Sequence, residues 1–382
     1  MTAASLSAEE RTRTTQDRNA DLLELPSYFA RDIFDREAER IFARKWHFIG
    51  TTHELSQHND FVTLDLPRRS VVVQNFRGEL RAFENICTHR LNRIQVEARG
   101  RRPLLCGYHN WNFDRDGFPF GRPNRDQFPA ETDAQRARLC LPAFRVATCG
   151  IFVFLDLGGA EATLPAFLGG NAALLEEISE SIGPEIGFGE IDHAANWKLL
   201  VENVLECYHC QAVHPETFIA GLGVGRNPIE GLIVESGHSS CHFPRTPGRR
   251  EDLRSKMLAH LDERTFRHES FFHLYVFPNL FISLQEGLTF YIGQAIARAA
   301  DRTILRTRMF EPRVELAAKA RTRQDAMNEQ SVQIGNRVIE EDRAILENIQ
   351  RSIQVASSPG VLGDMERRIA AFHRRYEEAM AA

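Results

Sequence analysis

Two short loops in the first half of the chain must converge on one point, and no other feature limits the fold as strongly. Cys87-Thr88-His89 and, after sixteen intervening residues, Cys106-Gly107-Tyr108-His109 each aim a thiol and an imidazole from one tight loop. They lie in a stretch (48–156) of short β-forming runs, FVTLDL (61–66), SVVVQNF (70–76) and GIFVFLDL (150–157). Turn signals at Arg77-Gly78, Asp116-Gly117 and 119–124 separate the runs, which predicts a small all-β module. Two thiolates and two imidazoles suit a [2Fe–2S] cluster, both cysteines on one iron and both histidines on the other. Neutral imidazole raises the potential of such a cluster and makes it a one-electron relay. A Cys2His2 zinc site is the competing reading of the same four residues.

Beyond the β module the texture changes. Periodicity predicts helices over 32–46, 171–182, 196–213 and 314–351, and strands over 271–284, 288–296 and 303–310, with a turn at Glu286-Gly287. Strands followed by a long helix predict an α+β domain in which helices cover an antiparallel sheet. Within NWKLLVENVLECYHCQAVHP (196–215), Glu206 and His209 are three residues apart and share one side of a helix, about 60° apart. His209 and His214 are five apart, about 140° on a regular helix. Pro215 removes that obstacle, because a residue before proline is pushed out of α geometry and His214 can swing toward His209.

Two histidines and a carboxylate form a facial triad that leaves positions open for O2 and substrate on Fe(II). The helical run VIEEDRAILENIQ (338–350) offers Glu340, Glu341 and Asp342, although such a run also reads as a solvated charged face. Taken by itself, Glu206 reads as a group that orients a ligand histidine. Cys207 and Cys210 read as packing residues. Strand alternation puts Phe271, His273, Tyr275 and Phe277 on one face. Phe271, Tyr275 and Phe277 are the candidate pocket residues, with plain core packing as the alternative. An aromatic cage there would attract a quaternary ammonium group by cation–π interaction.

Composition narrows the class. The chain has 382 residues, 43% hydrophobic and 26% charged, with a formal charge of −5 and no basic stripe, which argues against a nucleic-acid partner. No apolar run reaches membrane-spanning length, and residues 1–20 lack the apolar core of a signal peptide, so the expected location is the cytoplasm. Seven cysteines in a reducing compartment are expected to be thiols or metal ligands. Gly221-Leu222-Gly223-Val224-Gly225 is not a dinucleotide fingerprint and reads instead as a mobile loop near His214. Without a flavin or nicotinamide signature, electrons are expected from a separate reductase.

C-x-H-R followed by C-x-x-H-x-W strongly resembles the Rieske motif of ring-hydroxylating and related non-heme iron oxygenases, and the resemblance runs from about Leu25 to about Gln350. It implies a Rieske [2Fe–2S] domain over 41–160, a helix-grip-like catalytic domain over 161–382, and a lead-in over 1–40 that packs on the catalytic domain. Cys87, His89, Cys106 and His109 would hold the cluster. His209, His214 and Asp342, with Glu341 as the fallback, would hold the mononuclear iron. Glu206 would bridge the two centres across a subunit interface in a homotrimer, taking hydrogen bonds from its own His209 and from His109 of a neighbouring chain. An NAD(P)H-dependent flavin or iron–sulfur reductase is the implied partner. The Glu-Cys-Tyr-His-Cys stretch is similar to that of oxygenases acting on betaine- and carnitine-like amines, and an aromatic acid ring is the alternative substrate. A pure Rieske electron carrier would not need the second constellation. The chain departs from the family's pattern at Leu91, Gly107 and Asn110, which bears on loop geometry and potential.

Overall fold

The computed structural model describes residues 22–128, 131–160, 162–225, 228–246, 251–261, 266 and 270–382. Residues 1–21 of the expected N-terminal lead-in (1–40) lie outside the described residues. The chain divides into two compact units, Ala38–Phe167 and the segments up to Glu37 and from Leu168 to Ala382.

The first unit is the β module. Its strands are β1 (His47–Thr51), β2 (Asp60–Leu66), β3 (Arg69–Phe76), β4 (Glu79–Glu84) and β5 (Arg99–Arg101). They continue with β6 (Asn112–Phe113), β7 (Pro119–Gly121), β8 (Ala143–Cys149) and β9 (Phe152–Asp156). Seven of them form a sheet in the order β1-β9-β8-β4-β3-β2-β5, and β6 pairs with β7 as a separate hairpin. The valine run of β3 is buried on both faces, as its unbroken apolar sequence requires. Phe61, Val72, Phe83 and Ile94 pack with Cys87, Cys106 and Trp111 in one core, so the two thiols are built into the packing.

The second unit holds a seven-stranded antiparallel sheet. Its strands are β10 (Ile182–His193), β11 (Glu230–Glu235), β12 (His238–Phe243), β13 (Phe271–Val276), β14 (Leu280–Gln285), β15 (Thr289–Ala299) and β16 (Arg302–Pro312). The order is β10-β16-β15-β14-β13-β12-β11. Four helices matter for the site: α1 (Trp197–Val204), α2 (Cys210–Val213), α3 (Ala318–Ile353) and α4 (Arg367–Ala381).

Two expectations are corrected. The single strand over 271–284 is a hairpin of β13 and β14, turned at Phe277–Asn279 with a cis Phe277–Pro278 bond. Pro278 is the signal for that break, since proline interrupts a strand ladder. The helix over 196–213 is two helices separated by a non-helical stretch containing Glu206. Strands β10 to β12 and helix α4 add to what periodicity predicts. β10 contains Gly183, Pro184, Gly187 and Gly189, poor strand formers that an edge position tolerates.

Asn196 locks the start of α1 to the rest of its unit. Its side chain accepts from Lys198 N at 2.9 Å and donates to Ala300 O at 2.5 Å, while its own N–H donates to Gln350 Oε1 at 2.7 Å. Glu37 adds a buried anchor: Trp197 Nε1 donates to it at 2.8 Å, Tyr376 Oη at 2.6 Å, and Lys198 pairs with it where both side chains are fully shielded from water. One buried network thereby ties α1 to α4, and Asn196 and Gln350 tie α1 to α3. The 205–214 segment that follows α1 is held in place relative to α3.

Candidate metal centres and substrate cavity

The two ligand loops of the β module share one local geometry. Cys87 N donates to Asn92 O at 2.8 Å and Leu91 N to Cys87 O at 2.9 Å. In the second loop Cys106 N donates to Trp111 O at 2.9 Å and Asn110 N to Cys106 O at 3.0 Å. The residue that closes each turn is left-handed, Leu91 at φ 57° and Asn110 at φ 56°. The sequence departures at 91 and 110 therefore fall on the two positions where glycine or asparagine is at ease and leucine is not.

Leu91→Gly tests this directly. The Leu91 side chain is 77% exposed, so little packing is lost. Relief of strain outweighs the added freedom of the unfolded chain, and the expected net gain is about 0.5–1 kcal/mol. The check is a higher thermal midpoint of the cluster-loaded protein; an unchanged or lower midpoint refutes it.

His89 and His109 face each other with ring centroids 4.6 Å apart, and Trp111 stacks on His89 at 4.6 Å and 4°. Tryptophan in the C-x-x-H-x-W run therefore sets the plane of one histidine. His89 Nδ1 is buried without a hydrogen-bond partner, and both cysteines are buried nearby. Burial, His109 and Arg90 all lower the proton affinity of His89, and burial raises the Cys87 thiol to about 11. An orphaned imidazole nitrogen beside two shielded thiols fits a cluster that binds through those atoms.

In the second unit, His209, His214 and Asp342 bring their ligand atoms within 4.8 Å of one another. His214 Nε2 lies 2.9 Å and His209 Nε2 3.7 Å from Asp342 Oδ1. That oxygen is buried yet receives no properly directed hydrogen bond, as a metal ligand would. His214 has φ −119° and ψ 41°, outside the α region, as Pro215 requires. Asp342 shares the inward face of α3 with the buried residues Ile339, Leu346 and Gln350.

Each histidine is held from behind. His209 Nδ1 meets Glu206 Oε1, and His214 Nδ1 is 2.8 Å from Glu341 Oε2. Glu341 also accepts from Thr217 Oγ1 at 2.9 Å and from Arg337 Nε at 2.9 Å. Two carboxylates take up the Nδ1 sides and leave both Nε2 atoms facing Asp342, the arrangement that orients metal-bound imidazoles. Glu341, the fallback ligand, thus sits behind His214, and α3 offers Asp342 to the centre. Glu206 reaches His209 without a shared helix, because its carboxylate accepts from the backbone N–H of Tyr208 and of His209 and so fixes the turn between α1 and α2. Burial would lower the proton affinity of His214, but Asp342 and Glu341 outweigh it, so a metal binding there competes with a proton.

Cys207 and Cys210 correct another expectation. They form a disulfide, with Cα atoms 5.0 Å apart, in place of the two expected thiols. Gly225, at φ 93°, packs against both of them, where a Cβ would meet Cys210 at 2.8 Å. The segment expected to be a mobile loop contributes Gly221 and Leu222 to a π-helix (Pro215–Leu222), followed by left-handed Gly223 and Gly225.

A cavity of about 170 Å³ opens beside the triad. Phe271 lines it, together with His273, Phe218, Phe243, Phe281 and Tyr291. Tyr275 and Phe277 do not. Their rings pack on Phe372 of α4 at 6.0 and 6.4 Å, and Tyr275 Oη donates to Pro278 O at 2.6 Å. Alternation within β13 puts Phe271, His273 and Tyr275 on one face, Phe277 lies beyond the strand in the turn, and helix α4 covers that far end, which local sequence does not reveal.

A family model for the Rieske [2Fe–2S] domain matches residues 45–144, and one for the ring hydroxylating alpha subunit (catalytic domain) matches residues 187–382. The chain belongs to the ring-hydroxylating alpha-subunit family, and its cofactors are a [2Fe–2S] cluster and a mononuclear non-heme iron. Among its relatives, the glycine betaine monooxygenase oxygenase subunit of Pseudomonas aeruginosa (strain UCBPP-PA14) is 31% identical over 196 residues, covering 50% of this chain and 44% of the relative. The anthranilate 1,2-dioxygenase large subunit of Acinetobacter baylyi is 32% identical over 193 residues, covering 48% and 40%. The chain therefore matches about half or less of these relatives' length. The crystal structure of the quaternary ammonium Rieske monooxygenase CntA with an inhibitor shares the fold, with a TM-score of 0.77 and 20% identity over 94% of this chain and 95% of that one. No helix among the described residues is long and apolar enough to cross a membrane.

Proposed function

We propose that this chain is the terminal oxygenase component of a Rieske system, and that it hydroxylates or oxidatively demethylates a small organic substrate, by first preference a quaternary or methylated amine. The observation that carries the reading is the pair of imidazole Nε2 atoms turned toward Asp342, each held from behind by a carboxylate. Cys87, His89, Cys106 and His109 would hold the cluster, and His209, His214 and Asp342 the iron. When bound, the cluster supplies single electrons, and the iron supplies O2 activation and oxygen insertion. The chain's own work is to orient His209 and His214, to keep water out of the aromatic cavity and to seat the substrate beside the triad.

Glu206 would link the two centres between copies of the chain, accepting from its own His209 and from His109 of the partner subunit. Both ends of that link are suited to contact. Tyr108, next to His109, is 54% exposed, and Tyr208, next to His209, is 67% exposed. Large exposed aromatic rings at two complementary points favour a head-to-tail ring, read here as a trimer. We assign the cytoplasm as location and a separate NAD(P)H-dependent flavin or iron–sulfur reductase as electron donor.

A second reading, oxygenation of an aromatic acid ring, draws on the aromatic walls of the cavity and on the likeness to the anthranilate dioxygenase subunit. A single-turnover assay on chemically reduced, iron-replete protein with O2 separates the two. Quaternary amines, N- or O-methylated compounds and aromatic acids are followed by mass spectrometry. Methyl loss or oxygen insertion in the amine class is the expected result. Ring oxygenation selects the second reading, and cluster reoxidation without product from any class favours a simple electron carrier.

A further inference from the structure

The wall of the cavity includes a polar residue that the protein leaves half satisfied. His273, on β13, is 3% exposed and is one of the residues that line the cavity. Its Nδ1 lies 2.8 Å from Nη2 of Arg368 on α4. A guanidinium has only donors, so Nδ1 must accept. Burial and the Arg368 charge hold the ring well below the usual histidine range and therefore neutral. A neutral imidazole that accepts at Nδ1 carries its proton at Nε2, and that nitrogen has no hydrogen-bond partner. Buried polar groups are normally paired, so a missing acceptor is implied.

Arg368 makes the requirement electrostatic. It is fully buried, and three of its other four N–H donors go to Ser239 Oγ at 3.0 Å, Ser239 O at 3.2 Å and Cys241 Sγ at 3.2 Å. Among the described residues no carboxylate faces it. A buried cation without a counter-charge is costly, and a neutral acceptor in the cavity would satisfy His273 while leaving that cost in place.

We propose that His273, backed by Arg368, anchors the carboxylate of the substrate. Nε2–H donates to a carboxylate oxygen, and the anion offsets the Arg368 charge across the imidazole ring. Phe243, Phe271 and Phe281 then enclose the methylated or apolar body of the molecule. The substrate class is a small carboxylic acid with such a body. The assignment rests on reading this cavity as the oxygenase's substrate site, and it adds a specificity determinant to that reading.

The test is calorimetric titration of metal-loaded protein with two matched pairs, glycine betaine against choline and benzoate against benzyl alcohol. Within each pair only the carboxylate is exchanged for a hydroxymethyl group. In at least one pair the acid is expected to bind about tenfold or more tightly, the worth of one charge-assisted hydrogen bond. His273→Phe keeps a ring to stack beside Phe281 but lacks the donor, and brings that ratio close to one. His273→Gln can accept from Arg368 and donate into the cavity, and restores most of the preference. Equal affinity within each pair, no binding of either acid, or an unchanged ratio in His273→Phe overturns the proposal; if that variant does not fold, the wild-type ratios decide. Iron content and the cluster's EPR signal are measured on the same preparation. Absent metals count against the oxygenase reading, whereas full loading without an acid preference counts against the carboxylate anchor alone.

Discussion

Asp342→Asn is expected to strip the mononuclear iron and lower turnover by on the order of a thousandfold, while the cluster stays intact. The substitution keeps the shape of the side chain and removes its charge. Asp342 Oδ1 lies 2.9 Å from His214 Nε2 and 3.7 Å from His209 Nε2, so the carboxylate is the one acidic member of a triad that two imidazoles complete. Without its anion the site offers a divalent cation only two good ligands. The check is iron analysis beside acid-labile sulfide: iron falls by the mononuclear equivalent and sulfide does not change. Glu341→Gln is the control, because Glu341 stands behind His214 and its loss costs only about 10–100-fold in metal affinity. A larger iron loss in Glu341→Gln than in Asp342→Asn would reverse the two assignments.

Glu206→Gln is expected to retain iron and cluster yet slow turnover about a hundredfold, at the top of the range for groups that support a metal ligand. A glutamine oxygen can still accept from the backbone N–H groups of Tyr208 and His209, so the turn between the two helices survives. What disappears is the negative charge on His209 Nδ1 and the capacity to accept from two imidazoles at once. Stopped-flow absorbance of the reduced cluster in the presence of O2 and substrate should show reoxidation slowed by a similar factor. If iron is lost as in Asp342→Asn, Glu206 serves only to orient His209. If both rates match the parent protein, the bridge between subunits is wrong.

Much of this site is legible in the residue order alone. The four candidate cluster residues can be named from the C-x-H and C-x-x-H loops and the two histidines from the His209–His214 spacing with Pro215, whereas the acidic helix offers Glu340, Glu341 and Asp342 alike and only the family resemblance points to Asp342. Proline at 215 predicts the non-helical backbone of His214, which the structure has at φ −119°. The substrate cavity is less open to such reasoning. Period-two alternation predicts that Phe271, Tyr275 and Phe277 share one strand face, but β13 ends at Val276 and only Phe271 reaches the cavity. The other two lie under Phe372, a residue nearly a hundred positions away in a helix that periodicity does not disclose.

What the residue order specified was therefore chemical identity: which thiols, imidazoles and carboxylates exist, and which of them short-range geometry can turn toward a neighbour. Loop closure over a few residues and the proline effect on backbone angles act locally, so they can be read locally. Only tertiary structure decided which carboxylate faces the two imidazole Nε2 atoms and which stands behind His214. Glu341 and Asp342 are adjacent on one helix, and a rotation of about 100° per residue separates their directions. The packing of Ile339, Leu346 and Gln350 chooses between them. The same holds for His273, whose tautomer is set by a buried arginine from the C-terminal helix. Burial and long-range hydrogen bonds assign roles that spacing alone leaves open, because their energies depend on neighbours that are distant in sequence and adjacent only in the folded chain.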